Sequence, residues 1–140
     1  MAQLLKKSVL IVEDDVLVLG VLHKIITMRF PCIVIHLAND GISGLASFTL
    51  HKPDIIITDI GMPELDGLSM ATKIKSFNPE AVIIAVTGHS TEEHLKYAAE
   101  IGIGHYLKKP ISIKELFNCL DVLDTLSPTL NAAYQHETPI

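Results

Sequence analysis

Short apolar runs alternate along this chain with longer segments in which apolar residues recur every three or four positions. The short runs are rich in Val and Ile, which suits strands that are covered on both faces of a sheet. The longer segments have the period of helices that pack one face on such a sheet. Strands and helices in alternation are typical of βαβ units. The sequence therefore predicts an α/β fold, a five-stranded doubly wound parallel sheet with helices on both faces.

Five strands are predicted, and each ends where polar residues begin. They are residues 9–12, 33–37, 55–58, 82–86 and 106–107. Residues 90–93 and 112–115 both read S-x-x-E, a capping box that satisfies the first free N–H groups of a helix. Leu116, Leu120 and Leu123 recur at helical spacing, so we expect this face of the last helix to pack on the sheet.

The length of 140 residues corresponds to one domain, because a chain of this size buries a substantial core without dividing. We predict that the domain covers residues 7–125. Ser127 and Pro128 are expected to end the last helix, since proline cannot continue one. Residues 126–140 show no periodicity, so they are predicted to be a flexible tail or the remnant of a linker.

Composition and charge exclude several classes of protein. The chain is 49% hydrophobic and 19% charged, which is too apolar for a disordered segment, while polar residues interrupt the apolar runs too often for a membrane span. The net charge of -5, without a basic cluster, argues against a nucleic-acid surface. No long apolar segment or secretory cleavage site follows Met1, so a cytoplasmic location is expected.

The two cysteines, Cys32 and Cys119, stand far apart and form no CxxC pair. Both lie in apolar stretches, so we expect buried, reduced thiols rather than a disulfide. Reduced thiols agree with a cytoplasmic location.

Residues able to bind a cation or a phosphoryl group follow four of the five predicted strands. In an open parallel sheet, ligands bind at the carboxyl ends of the strands, so these positions are the first to inspect. They are Glu13, Asp14 and Asp15 after the first strand, Asp59 after the third, Thr87 and Gly88 after the fourth, and Lys109 and Pro110 after the fifth.

The acids of this group would repel one another once the fold brings them together. Two like charges about 4 Å apart repel by roughly 4 kcal/mol at an effective dielectric constant of about 20. A hydrated Mg²⁺ is the natural counter-charge, since it takes carboxylate ligands and keeps waters that phosphate oxygens can replace. Lys109 supplies a second positive charge at the same edge of the sheet.

Four segments in this order resemble the response regulator receiver family of two-component signal transduction. They are residues 12–15, 58–67, 86–88 and 109–110, which read VEDD, TDIGMPELDG, VTG and KP. Each segment closes a predicted strand, and the resemblance extends from about residue 8 to residue 123. It implies a single receiver domain with the flavodoxin-like fold.

By this resemblance Asp59 is the phosphoacceptor and Mg²⁺ is the cofactor. The metal ligands are implied to be Glu13, Asp14, Asp59 and the carbonyl oxygen of Gly61. The residue chemistry agrees, because an aspartate that is ionised at neutral pH can attack phosphorus without a general base. Phosphoryl transfer then needs mainly alignment and neutralisation of charge, so no catalytic histidine is expected.

The remaining strand ends are implied to bind the phosphoryl group and to respond to it. Thr87 and Lys109 contact the phosphoryl oxygens, and the N–H group of Gly88 is expected to donate a further hydrogen bond. In receivers, an aromatic residue at the position of Tyr106 swings inward when the threonine moves towards the phosphoryl group. Thr87 and Tyr106 are therefore the expected switch residues. The bond between Lys109 and Pro110 is implied to be cis.

Two positions are implied to set the lifetime of the phosphorylated form. Gly61 lies two residues after Asp59, and His89 lies two residues after Thr87. A glycine offers water little obstruction, whereas an imidazole could either shield the acyl phosphate or orient a water. The sign of their combined effect stays open.

The same residue types also have structural interpretations. Glu13 and Asp14 would suit a helix start, and Asp59 would suit a turn. Thr87 would suit a strand, and Lys109 would suit the surface. The four segments together favour function, except for Asp15, which we expect to be the N-cap of the first helix. Lys109 is preferred to Lys108, because neighbouring strand residues point to opposite faces and because receivers place the functional lysine directly before proline.

The expected function is that of a signalling switch rather than of an enzyme. A histidine kinase or a histidine phosphotransfer protein would donate the phosphoryl group to Asp59. The added charge would shift a two-state equilibrium in the last strand and its flanking helices. That surface would bind a downstream protein or a second copy of the chain, whereas nucleic acid and membrane are not expected as partners.

Four other interpretations compete with this one. A phosphatase of the haloacid dehalogenase type needs a second aspartate two residues after its nucleophile, where this chain has Gly61. A nucleotide-binding domain would show a G-x-x-x-x-G-K-[ST] or G-x-G-x-x-G motif after the first strand. A pseudo-receiver that only binds partners would not need the complete set of acids with Thr87 and Lys109. The chain could also be a receiver cut from a longer regulator or hybrid kinase.

Overall fold

The computed structural model describes residues 8–61, 67–88 and 92–125, in which strands and helices alternate. In order they are β1 (Ser8–Val12), α1 (Val16–Arg29), β2 (Val34–Ala38), α2 (Gly41–His51), β3 (Ile55–Asp59), α3 (Gly67–Phe77), β4 (Val82–Thr87), α4 (Glu92–Glu100), β5 (His105–Lys108) and α5 (Ile113–Thr125). The predicted tail of residues 126–140 and the predicted role of His89 lie outside the described residues, as do residues 90 and 91 of the first predicted capping box.

The five strands run parallel in one sheet, in the order β2-β1-β3-β4-β5. β2 and β5 are the edges, and the other three strands each have a neighbour on both sides. The chain moves from β1 to one edge and then returns to build the other half from β3 onwards, so the direction of winding reverses between β1 and β3. A crevice forms at the carboxyl ends of strands at such a reversal. The predicted doubly wound sheet is confirmed.

Helices cover both faces of the sheet and create two apolar cores. On one face, the stripe predicted for the last helix, Leu116, Leu120 and Leu123, is buried together with Leu22 and Ile26 of α1. α2, α3 and α4 contribute to the second core on the other face. Because β1, β3 and β4 lie between the two cores, their side chains are almost all buried, as their apolar sequences predict.

Two predicted helix starts have the expected capping chemistry. Asp15 is the N-cap of α1, and its carboxylate accepts hydrogen bonds from the N–H groups of Leu17 at 3.0 Å and Val18 at 3.3 Å. Before α5, the hydroxyl oxygen of Ser112 accepts one from the N–H group of Glu115 at 3.2 Å. Both predictions are confirmed. None of the described helices is both long enough and apolar enough to cross a membrane.

All five strands differ from the prediction by one residue at one or both ends, and β2 and β5 differ at both. β2 was predicted to begin at Ile33, but the ladder begins one residue later, where Val34 is opposite Ser8 of β1. β5 is twice as long as the predicted residues 106–107, because the ladder with β4 runs from His105 to Lys108. His105 and Lys108, the two ends of this half-buried strand, are polar, so the apolar run in the sequence covers only its two middle residues.

The prediction that Cys32 is buried is wrong. Cys32 is exposed and Cys119 is half-buried, although both are free thiols as expected. The cause is a turn before β2, in which the N–H group of Ile33 donates to the carbonyl group of Phe30 at 3.2 Å. The turn buries Phe30 and Ile33 and leaves Cys32 on the outside.

Candidate functional site

The carboxyl ends of four strands, β1, β3, β4 and β5, meet at one end of the sheet. Asp59, the last residue of β3, follows Thr58 and is opposite Val86 of β4. One residue further on, Thr87 ends β4. Glu13 directly follows β1, the neighbour of β3 on its other side, and Lys109 directly follows β5. Parallel strands thus bring together residues that the sequence separates widely.

Asp59 lies at the centre of this group and is 8% exposed. Its Oδ1 atom accepts a hydrogen bond from the N–H group of Gly61 at 2.8 Å. Its Oδ2 atom is 2.6 Å from Nζ of Lys109. The two contacts fix the orientation of the carboxylate at the end of β3.

Glu13 and Asp14 complete a group of three carboxylates with Asp59. One oxygen from each lies within 4.8 Å of the other two, and Glu13 is buried whereas Asp14 is exposed. Burial raises the pKa of Glu13, and the neighbouring carboxyl groups add to this rise. A hydrogen bond from the N–H group of Asp15 at 3.1 Å and the charge of Lys109 offset it only in part.

Lys109 is the cation that faces these acids. Its Nζ atom, besides contacting Asp59, is 3.3 Å from Oε1 of Glu13. Partial burial lowers the pKa of Lys109, but the hydrogen bond and charge of Asp59, followed by those of Glu13, outweigh burial and raise the pKa above its ordinary value. Lys108 is exposed, as strand alternation predicts, and the bond between Lys109 and Pro110 is cis.

Thr87 and Gly88 form the side of the site next to β5. Thr87 is buried, and its carbonyl group accepts a hydrogen bond from the N–H group of Lys109 at 2.8 Å. Gly88 shares a crevice with Asp59 and Lys109. A Cβ atom at Gly88 would lie 3.5 Å from Cδ of Lys109, so the glycine keeps the space beside the lysine stem open.

Gly67 has a part in the site that sequence reasoning missed. A Cβ atom at Gly67 would overlap the carbonyl oxygen of Asp59 and the Cα atom of Ile60. Only glycine therefore lets the start of α3 pack this closely on the end of β3. The signal was present, since Gly67 closes the TDIGMPELDG segment, but glycine at a helix start also has ordinary explanations.

An apolar groove leads away from the carboxylates along α1. Leu17, Val21 and Ile25 line it on the side of α1, and Ile111 and Ile113 line it on the side that leads into α5. The paired carboxylate and ammonium group lie at its polar end. The site therefore opens onto a surface on which another protein could rest, a feature that the sequence reasoning did not predict.

Tyr106 of β5 points outward. Its side chain is 39% exposed, and its hydroxyl group donates a hydrogen bond to the carbonyl group of Ile103 at 2.7 Å. Partial burial raises the pKa of the phenol. Tyr106 is opposite Ala85 on the neighbouring strand, and the small side chain of Ala85 leaves space for the aromatic ring.

The donor set suits a divalent cation that prefers oxygen ligands. Mg²⁺ binds carboxylates at about 2.0–2.1 Å in octahedral geometry, so oxygens that share one ion lie within about 4 Å of each other. Glu13, Asp14 and Asp59 present oxygens close to that spacing. Gly61, whose carbonyl group was predicted as a further ligand, lines the same crevice.

Fold and site together define an α/β domain with an acidic, lysine-containing crevice at the carboxyl ends of its strands. The family model of the response regulator receiver domain matches residues 9–121. The chain belongs to this family, and it is a receiver domain of the kind found in two-component response regulators. Members of the family act as signalling switches, bind Mg²⁺ at an acidic pocket and interact with histidine kinases and downstream effectors.

Relatives of different length match this chain. It is 31% identical over 126 residues to the chemotaxis protein CheY of Halobacterium salinarum, covering 90% of this chain and 98% of CheY. It is 36% identical to the DNA-binding transcriptional regulator NtrC of Proteus hauseri over 79% of this chain, but that match spans only 23% of NtrC. The chain thus corresponds to a whole CheY and to a small part of several longer regulators.

Solved structures show the same fold. A response regulator receiver domain protein from Clostridium thermocellum has a TM-score of 0.80 and 25% identity, covering 89% of this chain and 98% of that one. The N-terminal domain of an uncharacterized protein from Wolinella succinogenes has a TM-score of 0.77 and 38% identity, covering 82% and 91%. The predicted flavodoxin-like receiver fold is confirmed.

Proposed function

We propose that Asp59 accepts a phosphoryl group from a phosphohistidine of a histidine kinase or a histidine phosphotransfer protein. The observation that carries this proposal is the 2.6 Å contact between Oδ2 of Asp59 and Nζ of Lys109, beside the acids Glu13 and Asp14. Phosphoryl transfer depends mainly on alignment and on neutralisation of charge. A buried carboxylate held between a cation and a cation-binding group meets both requirements.

In this proposal Asp59 is the nucleophile. A carboxylate oxygen attacks phosphorus, an acyl phosphate bond forms, and the bond between phosphorus and the imidazole nitrogen of the donor breaks. The imidazole leaves with the electron pair of that bond. No general base is needed, because an aspartate side chain is ionised at neutral pH.

Charge at the site would be neutralised from two sides. Glu13, Asp14, Asp59 and the carbonyl oxygen of Gly61 would hold Mg²⁺, which when bound supplies positive charge to the phosphoryl oxygens. Lys109 supplies the second positive charge, and its raised pKa keeps it protonated throughout the neutral range.

Thr87 and Gly88 would complete the binding of the phosphoryl group. Both lie at the end of β4, next to the acceptor, and the Thr87 hydroxyl and the Gly88 N–H group are neutral donors. Such donors stabilise charge on phosphoryl oxygens without adding a further cation.

We propose that the switch consists of Thr87 and Tyr106. When Thr87 turns towards the phosphoryl group, Tyr106 gives up its hydrogen bond to Ile103 and moves inward beside Ala85. This changes the surface formed by α4, β5 and α5, which would then bind a downstream protein or a second copy of the chain. The outward position of Tyr106 is the starting point that such a movement requires.

The phosphorylated form would hydrolyse by itself, at a rate set by Gly61 and His89. Gly61 leaves space beside Oδ1 of Asp59, because a Cβ atom at this position would be in van der Waals contact with that oxygen at 3.6 Å. We expect His89→Ala to change the rate of dephosphorylation without abolishing phosphorylation. Decay of the phosphorylated mass over time measures this, and an unchanged lifetime would remove His89 from the mechanism.

We further propose that residues 7–125 form the receiver and that residues 126–140 follow it as a tail or linker. The match spans 98% of CheY but only 23% of NtrC, so a free-standing receiver and a receiver within a longer regulator are both compatible with these relatives. Either arrangement would operate in the cytoplasm, where the phosphohistidine donor is formed.

Incubation with acetyl phosphate and Mg²⁺, followed by intact mass spectrometry, tests the acceptor. We expect one phosphoryl adduct per chain, which is absent in Asp59→Asn and in excess EDTA. Asp121→Asn is the matched control and should keep the adduct, because Asp121 is a half-buried aspartate outside the site, where it pairs with Arg29 at 2.9 Å. An adduct that survives in Asp59→Asn would contradict the proposal.

A further inference from the structure

Thr58 is a buried polar residue with no role in the proposed phosphoryl and metal site. Among the described residues, the buried polar or charged ones are Glu13, Thr58, Asp59 and Thr87. The other three belong to that site, whereas Thr58 lies on β3 directly before Asp59 and is fully buried. A buried hydroxyl group costs free energy unless it makes a hydrogen bond, so the bond that it makes indicates what the residue does.

The hydroxyl group of Thr58 donates a hydrogen bond to the carbonyl group of Asp59 at 3.0 Å. In a trans peptide group the C=O and N–H bonds point in opposite directions. The N–H group of Ile60 donates to the carbonyl group of Val86 in β4 at 3.2 Å, so the carbonyl group of Asp59 faces the other side, towards β1. The ladder between β1 and β3 ends opposite Thr58, at Val12. Thr58 therefore supplies a donor at the point where the ladder stops.

The peptide group that joins Asp59 to Ile60, which we call the Asp59 peptide, is held at both of its polar atoms. Thr58 binds its oxygen, and β4 binds its N–H group. A third restraint comes from α3, since Gly67 packs so closely on this oxygen that a Cβ atom would not fit. Of the three restraints, only the one from Thr58 is made by a side-chain group.

The Asp59 peptide is also part of a ring that orients the carboxylate. Oδ1 of Asp59 accepts a hydrogen bond from the N–H group of Gly61 at 2.8 Å, which closes an Asx turn over residues 59–61. The Asp59 peptide lies within this ring, so its rotation would move Oδ1 relative to the N–H group of Gly61. A hydrogen bond that fixes the peptide group therefore also fixes the carboxylate.

We propose that Thr58 is a positioning residue, whose hydroxyl group holds the Asp59 peptide and thereby the carboxylate that accepts the phosphoryl group. The inference rests on the proposed function, in which Asp59 is the acceptor and, with the carbonyl oxygen of Gly61, a ligand of Mg²⁺. Both ligands belong to the Asx turn. Loss of the hydroxyl group should therefore weaken metal binding and slow phosphorylation together.

The shape and the hydroxyl group of Thr58 can be tested separately. Thr58 is β-branched, which restricts its side-chain rotation, and it lies between Val12 of β1 and Ala85 of β4. Thr58→Val keeps this shape but removes the donor, whereas Thr58→Ser keeps the donor and removes a methyl group. Thr72→Val is the matched control, because the Thr72 hydroxyl group also donates to a backbone carbonyl group, at 2.8 Å, but within α3.

Three measurements on the full chain test the inference. They are the solvent exchange of the Gly61 amide by NMR in EDTA, the dissociation constant of Mg²⁺ by NMR titration, and the rate of adduct formation from acetyl phosphate. In Thr58→Val we expect faster exchange, with a dissociation constant raised and a rate lowered by about tenfold each. Thr58→Ser and Thr72→Val should stay close to the wild type in all three.

A folded Thr58→Val variant with the wild-type exchange, dissociation constant and rate would overturn the inference. Thr58→Ala lacks the hydroxyl group as well, so it decides the point if Thr58→Val does not fold. A Thr58→Ser variant as impaired as Thr58→Val would also overturn it, because the cause would then be packing of the methyl group. A wild-type chain that forms no adduct would instead contradict the proposed role of Asp59, and the exchange of Gly61 in EDTA would still measure the effect of Thr58.

Discussion

At the scale of single residues, the site is a balance of charges. Three carboxylates lie within 4.8 Å of one another and face one ammonium group, so negative charge is in excess. Lys109 contacts two of the acids, and its pKa is raised as a result. A divalent cation would remove the remaining imbalance, so the proposed metal ligands and the proposed phosphoacceptor belong to the same group of residues.

Replacing Lys109 by alanine separates phosphorylation from its consequences. We expect Lys109→Ala to keep the phosphoryl adduct on Asp59 but to lose the conformational response. The reason is that the variant lacks the ammonium group that would move towards the new phosphoryl group. Two-dimensional NMR spectra before and after phosphorylation measure this response in β5 and the adjoining helices. Lys108→Ala is the control, since Lys108 is exposed. A wild-type pattern of shifts in Lys109→Ala would argue against a role in the response.

Two glycines predict opposite effects of the same substitution. Gly67→Ala should lower the free energy of unfolding by about 1–3 kcal/mol, because the added methyl group overlaps the backbone at Asp59 and Ile60. Gly20 lies in the exposed middle of α1, where an added methyl group would have no atom within 4 Å, so Gly20→Ala should raise it by about 0.5–1 kcal/mol. Urea denaturation at neutral pH measures both. Equal effects of the two substitutions would show that the close packing of α3 on β3 has no influence on the free energy of unfolding.

At the scale of elements, α2 is joined to the edge of the sheet by a pair of histidines. His36 of β2 and His51 at the end of α2 stack with their ring centroids 3.8 Å apart and their planes 8° from parallel. Burial lowers the pKa of His36, and the charge of His51 lowers it further. The contact is therefore most favourable when His36 is neutral.

This stack makes the stability of the α2 edge depend on pH. A histidine whose pKa is lower in the folded chain than in the unfolded chain binds fewer protons when folded, so the free energy of unfolding falls as the pH falls below the ordinary value of 6.5. We expect NMR titration to place the pKa of His36 below 6.5 and to move it upwards in His51→Gln. His23→Gln, on α1, should leave it unchanged. Titration of His36 above its ordinary value would contradict this account.

At the scale of the whole molecule, the sequence was sufficient for the architecture. The order of five apolar runs, each followed by polar residues, predicted the parallel sheet. It also predicted that the site forms at the carboxyl ends of the strands. Lys109 could be chosen over Lys108 because alternation along a strand is a local rule. The capping residues Asp15 and Ser112 could be predicted for the same reason.

What the sequence did not predict depends on contacts between distant segments. Cys32 lies in an apolar stretch, and only the turn that buries Phe30 and Ile33 shows that it is outside. The need for glycine at Gly67 depends on how closely α3 approaches β3. The groove along α1 is formed by two segments that the sheet brings together, so no single stretch of sequence carries its pattern.

Magnesium should stabilise the whole fold, because it would bind the folded site and not the unfolded chain. At about 100 times its dissociation constant, the expected gain in the free energy of unfolding is about 2.7 kcal/mol. Glu13→Gln removes a buried carboxylate from the acidic group, so we expect it to be more stable than the wild type in EDTA and to gain less from Mg²⁺.

Urea denaturation with Mg²⁺ and with EDTA measures both effects. Glu80→Gln, at an exposed position before β4, is the control and should respond to Mg²⁺ as the wild type does. An equal gain from Mg²⁺ in Glu13→Gln and in the wild type would exclude Glu13 from the metal site.

The order of the strands gives the two residues of the ion pair, Asp59 and Lys109, different freedom to move. β3 is bonded to a strand on each side, whereas β5 has β4 as its single neighbour in the described sheet. A displacement of β3 would disrupt two ladders, but β5 can shift while only one ladder adjusts. Asp59, the proposed acceptor, is therefore on the more constrained strand, and Lys109 follows the edge strand, which is freer to shift.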